Sequence, residues 1–172
     1  AGLVGSGRTE LLRTIFGLDA ARSGSVRLGT TLLTAPWSPG RCLALGMGML
    51  SEDRKEEGLA MNLSLAVNTT LSDMAPLSRW GLLSPVRQAA AAGRWIDEVD
   101  IRCTGPDQIT QTLSGGNQQK VALARLLHHD VDVLLLDEPT RGIDVGSKVQ
   151  VYSLLDQLAA SGKAILLVSS YI

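Results

Sequence analysis

The sequence predicts an α/β fold with a mainly parallel sheet, a small β-hairpin region and a helical insertion. Residues 133–136 and 164–168 are continuous apolar runs, the pattern of strands that are buried on both faces. Between them, apolar residues recur at helical spacing, and glycines mark the helix ends. Strands that alternate with helices in this way are typical of the α/β class.

The core elements are predicted in chain order as follows. Residues 1–4 end a strand, and the helix after the next glycine turn stops at Gly17. A short β-hairpin is expected around Gly29 and Thr30. The later elements are a helix, two strands, a helix that ends at Gly162 and a last strand, the ranges being 39–45, 47–51, 133–136, 145–161 and 164–169. The inner face of the helix before Gly162 is predicted to carry Val145, Val149, Tyr152, Leu155 and Leu158.

Residues 62–129 are predicted to be mostly helical, unlike the alternating strands and helices of the core, and to form an insertion. Ser84 is an N-cap residue and Pro85 takes the first helical position, so a helix begins there. Its core face is predicted to contain Val86, Ala89, Gly93 and Ile96. The chain is therefore expected to be one domain, with a core of residues 1–61 and 130–172 and a helical part of residues 62–129.

Composition excludes several classes of protein. The chain has 172 residues, which suits one domain, and a formal net charge of −1, which argues against an electrostatic nucleic-acid or membrane binder. The separated Cys42 and Cys103 indicate a reduced, cytosolic setting, and the apolar runs are too short to cross a bilayer. The first residue is Ala1 and the last residues stop within a pattern, so a fragment of a longer polypeptide is expected.

A glycine-rich turn near the start fits a phosphate-binding loop at every fixed position but one. The pattern G-x-x-x-x-G-K-[ST] places Arg8 where Lys is expected, and Thr9 would put its hydroxyl on Mg²⁺. Backbone N–H groups of such a loop surround a phosphate at a helix N-terminus, here those of Gly2, Gly5, Ser6 and Gly7. By itself, the turn fits a plain strand-turn-helix junction equally well.

Two carboxylates follow a buried strand at the edge where α/β proteins bind ligands. Asp137 would hold Mg²⁺, directly or through water, and Glu138 would polarise the water that attacks a γ-phosphate. A further anion site is predicted where Ser114 and the amides of Gly115 and Gly116 begin a helix. A flexible turn with an N-cap serine is the simpler alternative for that segment.

Residues 113–120, Leu-Ser-Gly-Gly-Asn-Gln-Gln-Lys, followed by Leu-Leu-Leu-Asp-Glu-Pro-Thr at residues 134–140, resemble the nucleotide-binding domain of ATP-binding-cassette (ABC) transporters. More specifically, residues 51–59 resemble the second cassette of monosaccharide-importer ATPases. The resemblance implies a P-loop NTPase fold, with Asp144 in the D-loop. It also implies that two cassettes pair head to tail, so that Ser114, Gly115, Gly116 and Asn117 complete the ATP site of the facing cassette.

The phosphate-loop half departs from the family pattern at three positions. Arg8 replaces the Lys, Glu52 stands where the family has a Gln that senses Mg²⁺ and water, and Ser170 stands where the family has a switch His. His128 and His129 end the signature helix and are expected to face solvent, so they do not replace it. Glu138 remains. A site that binds ATP and hydrolyses it poorly is expected.

The resemblance implies an importer ATPase at the cytoplasmic face of the inner membrane. Its cofactors are ATP and Mg²⁺. Its partners are a first cassette of the same polypeptide, transmembrane permease subunits and, indirectly, a periplasmic sugar-binding protein. The alternative is a non-catalytic module that regulates or completes a partner's site. Action on DNA or ribosomes is disfavoured by the near-neutral charge and by the absence of room for a long coiled-coil insertion.

Overall fold

The computed structural model describes residues 6–170, and Gly2 and Gly5 of the predicted phosphate loop lie outside them. The α-helices are α1 (Arg8–Phe16), α2 (Pro39–Ala44), α3 (Leu65–Thr70), α4 (Pro85–Glu98), α5 (Gly115–His128) and α6 (Val145–Ala160). The strands are β1 (Ser25–Leu28), β2 (Thr31–Thr34), β3 (Met47–Leu50), β4 (Ser78–Arg79), β5 (Leu82–Leu83), β6 (Val133–Asp137) and β7 (Ala164–Val168).

A parallel sheet in the order β3-β6-β7 forms the centre of the molecule. Strand β6 lies in the middle, with Val133 opposite Met47 on one side and Ala164 on the other. Successive side chains of a strand point to opposite faces. Leu134 and Leu136 therefore enter the core that α5 and α6 cover, whereas Leu135 enters the core beneath α1 and α2. The predicted α/β class and the two apolar strands are confirmed.

The smaller predicted elements of the core are also present. Strands β1 and β2 form an antiparallel hairpin that turns at Gly29 and Thr30. Helix α2 begins with Ser38, whose hydroxyl accepts the N–H of Arg41, and with Pro39 at the first turn. Local capping and turn signals were therefore sufficient to predict these elements.

Helix α4 starts at Pro85 with Ser84 as its N-cap, as predicted, but its predicted core face is only partly right, because Ile96 packs against the core and Val86 does not. The buried side chains are Gln88, Ala92, Trp95 and Val99, and Val86 is 79 % exposed. The predicted face consisted of apolar residues and glycine, whereas the observed face includes two side chains with polar groups. These can be buried because each polar group has a hydrogen-bond partner. Gln88 Nε2 donates to Thr70 Oγ1 at 2.8 Å, and Trp95 Nε1 donates to His128 Nδ1 at 3.2 Å.

The expectation that His128 and His129 face solvent is also wrong, because both are half-buried. His128 lies between Trp95 and the carbonyl of Asp73, which is 2.9 Å from Nε2. His129 places Nδ1 2.9 Å from the carbonyl of Ser72 and Nε2 3.2 Å from that of Leu43. His129 therefore joins the helical part of the chain to the end of α2.

The predicted inner face of α6 is partly wrong. Val145 and Val149 are 78 % and 64 % exposed, whereas Val151 and Leu155 are buried. In the first turn of α6, Ser147 lies against Gly116 of α5. Residues four positions apart share one face of a helix, so Val151 and Leu155 lie on the same face as Ser147. Within residues 6–170, no helix combines the length and the apolar character that crossing a membrane requires.

Candidate functional site

A cleft of about 460 Å³ lies at the carboxyl edge of the sheet, beside the N-terminus of α1. It is lined by Ser6, Gly7, Arg8, Thr9, Glu10, Glu52, Asp137, Glu138, Arg141, Val168 and Ser170. The cleft therefore brings together the described part of the predicted phosphate loop, both predicted carboxylates, and the two altered positions Glu52 and Ser170.

The start of α1 is open to a ligand. Gly7 precedes the helix with φ of +77°, a conformation that glycine adopts without the strain a Cβ would cause. Among the described residues, no side chain caps the helix, so its first amides stay available. Exposed backbone N–H groups at a helix N-terminus favour an anion such as phosphate.

Asp137 ends β6 and is completely buried. Within the described part of the chain, neither of its carboxylate oxygens has a hydrogen bond of standard geometry, although the Thr9 hydroxyl lies near enough to favour the charged form. Burial raises the pKa of Asp137, an effect that the Thr9 hydroxyl opposes and the neighbouring Glu138 charge reinforces. A buried carboxylate without such a hydrogen bond is a suitable ligand for a divalent cation.

The donor set fits Mg²⁺ that is shared with a nucleotide. No group of three or more His, Cys, Asp and Glu side chains among residues 6–170 forms a complete metal site. Mg²⁺ commonly takes one or two protein oxygens and completes its shell with phosphates and water. Asp137 and the Thr9 hydroxyl, which lines the same cleft, meet that requirement.

Glu138 adopts a strained backbone conformation for a non-glycine residue, with φ of +46°. Two backbone hydrogen bonds hold it, since its N–H donates to Val168 and its carbonyl accepts from Arg141. Its Oε2 is buried and has no hydrogen-bond partner among the described residues. The carboxylate is thus held in the cleft with an oxygen free to orient water.

Glu52 forms an ion pair with Arg141, a residue that sequence analysis missed. Both line the cleft, which also contains Asp137 and Glu138. The pair offsets the negative charge that Glu52 adds at the position where the family pattern has Gln. The available sequence signal was an unassigned arginine just beyond Thr140.

The side chain of Arg8 contacts the segment that follows β7. Its Nη1 donates to the carbonyl of Ser169 at 3.3 Å, which joins the start of α1 to the end of β7. Ser170, the next residue, is exposed at the cleft. The phosphate-loop side chain is thus linked to the segment that contains the predicted switch position.

The predicted signature residues lie outside this cleft. Ser114 caps α5 and is exposed, while Gly115 packs against Arg54 and the loop after β6, and Gly116 packs against the first turn of α6. A Cβ on Gly115 would lie 2.9 Å from Arg54 Nη2, and one on Gly116 would lie 2.1 Å from Ser147 Oγ. The two glycines thus permit close packing at the start of α5.

Asp144 caps α6 by accepting from the backbone N–H of Ser147 at 2.9 Å and from its hydroxyl at 2.7 Å. These bonds lower the pKa of Asp144, because they favour its charged form. Its carboxylate also lies close to Gly116, at 3.7 Å from a Cβ built there. Asp144 therefore stands beside the signature rather than in the cleft.

Arg54 is a second residue that sequence analysis missed. Its guanidinium donates to the carbonyls of Arg141 and Gly142 at 2.9 and 3.4 Å, and to Gln118 Oε1 at 3.3 Å. It therefore joins the loop that contains Glu52 to the start of α5 and to the loop after β6. No local pattern marks such a contact, because its partners are mostly backbone carbonyls from distant segments.

Comparisons with known proteins agree with this geometry. The family model described as "ABC transporter" matches residues 1–141. A putative ribose/galactose/methyl galactoside import ATP-binding protein of Rhizobium meliloti is 44 % identical over 169 residues, which cover 98 % of this chain and 34 % of that protein. The ribose import ATP-binding protein RbsA of Chromobacterium violaceum is 44 % identical over 171 residues, 99 % of this chain and 34 % of its own length.

The chain thus spans about a third of the length of these relatives. Among solved structures, the dimeric post-hydrolysis state of the ATP-binding cassette MJ0796 bound to ADP and Pi aligns with a TM-score of 0.79 and 23 % identity. That alignment covers 98 % of this chain and 72 % of the other. The fold is that of a P-loop ATP-binding cassette, and the chain belongs to the ABC transporter family.

Proposed function

We propose that this chain is an ATP-binding cassette of a monosaccharide importer, in which ATP binding and hydrolysis are coupled to sugar uptake. The observation that carries the proposal is the buried carboxylate of Asp137 beside Thr9 and the open start of α1. The relatives named as ribose or galactose import proteins support the substrate class. The cassette would act at the cytoplasmic face of the inner membrane, with permease subunits and, through them, a periplasmic sugar-binding protein.

In this proposal, ATP lies with its phosphates on the loop that contains Gly2, Gly5, Ser6 and Gly7. Asp137 and the Thr9 hydroxyl would hold Mg²⁺, which would neutralise charge on the phosphates. Glu138 orients and deprotonates the attacking water. The strained but well-bonded backbone of Glu138 fixes the direction of that carboxylate.

The site of this chain is proposed to hydrolyse ATP slowly. Arg8 is a bulky planar cation that bonds to Ser169, so it does not offer the compact ammonium of a Lys to the phosphates. Glu52 and Ser170 replace the other two supporting groups. The same observations favour the second candidate function, a nucleotide-binding module without turnover that completes the site of a partner cassette.

The partner is proposed to be a first cassette in the same polypeptide, facing this one head to tail. Ser114 and the amides of Gly115 and Gly116 would then meet the γ-phosphate of ATP held by that cassette. Asn117 and Asp144 flank this surface. The placement of the signature outside the chain's own cleft supports this arrangement.

A permease segment is proposed to dock in an apolar groove of about 410 Å³ between α1, α3 and α5. Leu18 and Leu71 line the groove and are 47 % and 42 % exposed. Leu71→Glu should weaken co-purification with the permease by placing a charge in that groove. Leu82→Glu, at a 76 % exposed leucine of the β4–β5 hairpin, is the control and should leave co-purification unchanged.

The decisive experiment compares two substitutions in the reconstituted importer. Ser114→Arg should abolish ATP turnover and transport, because the larger side chain would block the facing γ-phosphate. Glu138→Gln should leave turnover within about threefold, because the slow site contributes little and a catalytic group is worth far more than that factor. Ser84→Arg removes a comparable N-cap serine from α4 and controls for lost capping.

Each outcome decides one part of the proposal. Turnover that survives Ser114→Arg would show that the signature does not serve a facing site. Turnover that falls by 10²-fold or more with Glu138→Gln would show that this chain's own site performs hydrolysis, at about the loss expected for a catalytic group.

A further inference from the structure

The side chain of Asn117 is hydrogen-bonded at both ends of its amide. Oδ1 accepts the backbone N–H of Arg102 at 2.9 Å, and Nδ2 donates to Ser114 Oγ at 2.9 Å. A backbone N–H can only donate, so the group that faces Arg102 must be the oxygen. This network assigns the amide orientation and directs its N–H toward Ser114.

The segment that holds Asn117 is itself held firmly against α5. Lys120, one helical turn further along α5 and 4 % exposed, donates from Nζ to the backbone carbonyl of Asp100. Ile101, between Asp100 and Arg102, is buried. This hydrogen bond and the burial of Ile101 therefore fix the backbone N–H that orients the amide.

This orientation determines what the Ser114 hydroxyl can do. Its oxygen accepts from Asn117 Nδ2 and also from the Asn117 backbone N–H, at 3.5 Å. Both lone pairs of the Ser114 oxygen are directed at these two N–H groups, so the hydroxyl proton points away from both groups. Ser114 is exposed, so that proton is available to an acceptor on another molecule.

We infer that Asn117 is a positioning residue, which keeps the Ser114 hydroxyl as a hydrogen-bond donor toward the γ-phosphate of ATP on the facing cassette. This inference rests on the proposed function of the signature. Without Asn117, the hydroxyl rotates freely and spends part of its time with the proton directed elsewhere. Charge on the γ-phosphate oxygens grows in the transition state, so the loss falls on turnover more than on binding.

The test is a double-mutant cycle in the full-length protein assembled with its permease, with MgATP as substrate. Ser114→Ala should lower kcat by about 10²-fold, the scale of one lost transition-state donor. Asn117→Ala should lower kcat by about tenfold, the scale of one hydrogen bond, and leave KM within about threefold. The double variant should match Ser114→Ala alone, because Asn117 acts only through that hydroxyl.

Asn117→Asp is the control for a folding defect, because aspartate has the same shape as asparagine and still accepts the backbone N–H of Arg102. Its second oxygen would turn the Ser114 proton inward, so kcat should fall at least as far as with Asn117→Ala while the melting temperature stays close to that of the unmodified protein. Gln157→Glu, on the exposed end of α6, adds the same charge elsewhere and should change neither quantity.

The outcomes separate the two levels of the proposal. Losses that multiply in the double variant, or an Asn117→Asp protein with turnover within about threefold of normal, would overturn the role of Asn117 alone. Normal turnover with Ser114→Ala would overturn both this role and the proposed service of the signature to a facing site.

Discussion

At the scale of single residues, Asp137 is proposed to hold Mg²⁺, but burying its charge lowers the stability of the fold. Burial raises its pKa, so the ionised carboxylate destabilises the fold near neutral pH, and stability should recover as the pH falls through that raised pKa. In EDTA, Asp137→Asn should increase the free energy of unfolding at neutral pH, because it removes the buried charge even though the amide is left without partners among the described residues. The gain should shrink at lower pH, where the unmodified carboxyl is protonated. Urea unfolding at a series of pH values measures both effects.

Asp156→Asn is the control for this prediction, because Asp156 is exposed on α6 and should show no such gain. Asp137→Asn should also remove the Mg²⁺ dependence of ATP binding. A variant that is less stable than the unmodified chain at every pH would contradict the assignment of Asp137 as an uncompensated buried charge.

The ion pair of Glu52 and Arg141 leads to a second prediction at this scale. Arg141→Ala leaves Glu52 unpaired beside the phosphates, so affinity for MgATP should fall by about two- to fivefold, the range of a partly exposed pair. Adding Glu52→Gln should restore the affinity, because it removes the charge that Arg141 had balanced. Calorimetric titration of the full-length protein measures this, and a double variant that binds no better than Arg141→Ala would refute the coupling.

At the scale of elements, the same substitution, glycine to alanine, is expected to have opposite effects at two helical glycines. Gly116→Ala would place a Cβ 2.1 Å from Ser147 Oγ and 2.6 Å from its Cβ, between α5 and α6. Overpacking of this kind should cost about 1–3 kcal/mol of stability. Gly93, inside α4, has no atom within 4 Å of an added Cβ, so Gly93→Ala should stabilise the fold by about 0.5–1 kcal/mol.

Denaturant unfolding of both variants checks this contrast. Ser147→Gly should recover most of the loss in the Gly116→Ala background, since it removes the atoms that the new Cβ meets. Equal effects of the two alanine substitutions would show that the start of α5 has more room than its packing indicates.

At the scale of the whole molecule, the proposed function assigns two separate half-sites for nucleotide to this chain. The cleft would supply phosphate-loop contacts, and the predicted signature residues are not among those that line it. The isolated chain should therefore bind MgATP weakly and only with Mg²⁺, with a dissociation constant above about 10 µM, which corresponds to roughly −7 kcal/mol. Titration calorimetry measures this, and submicromolar binding would show that one half-site suffices.

Most elements of the core and much of the cleft could be predicted from local sequence patterns. Helix starts at Ser84 and Ser38, the glycine turns and the apolar strand β6 are local signals, which depend only on neighbouring residues. The positions of Asp137 and Glu138 followed from the same logic, because the end of a buried parallel strand is where an α/β sheet meets its ligand.

The buried side of each helix and the contacts between distant groups depend on how the elements pack together. The exposed Val86 and the buried Gln88 differ because Thr70 supplies a hydrogen bond from another helix. Arg54 and Arg141 reach partners far along the chain, and no periodicity or cap encodes such contacts. The physical reason is that burial and pairing are properties of two packed surfaces, whereas sequence patterns describe one segment at a time.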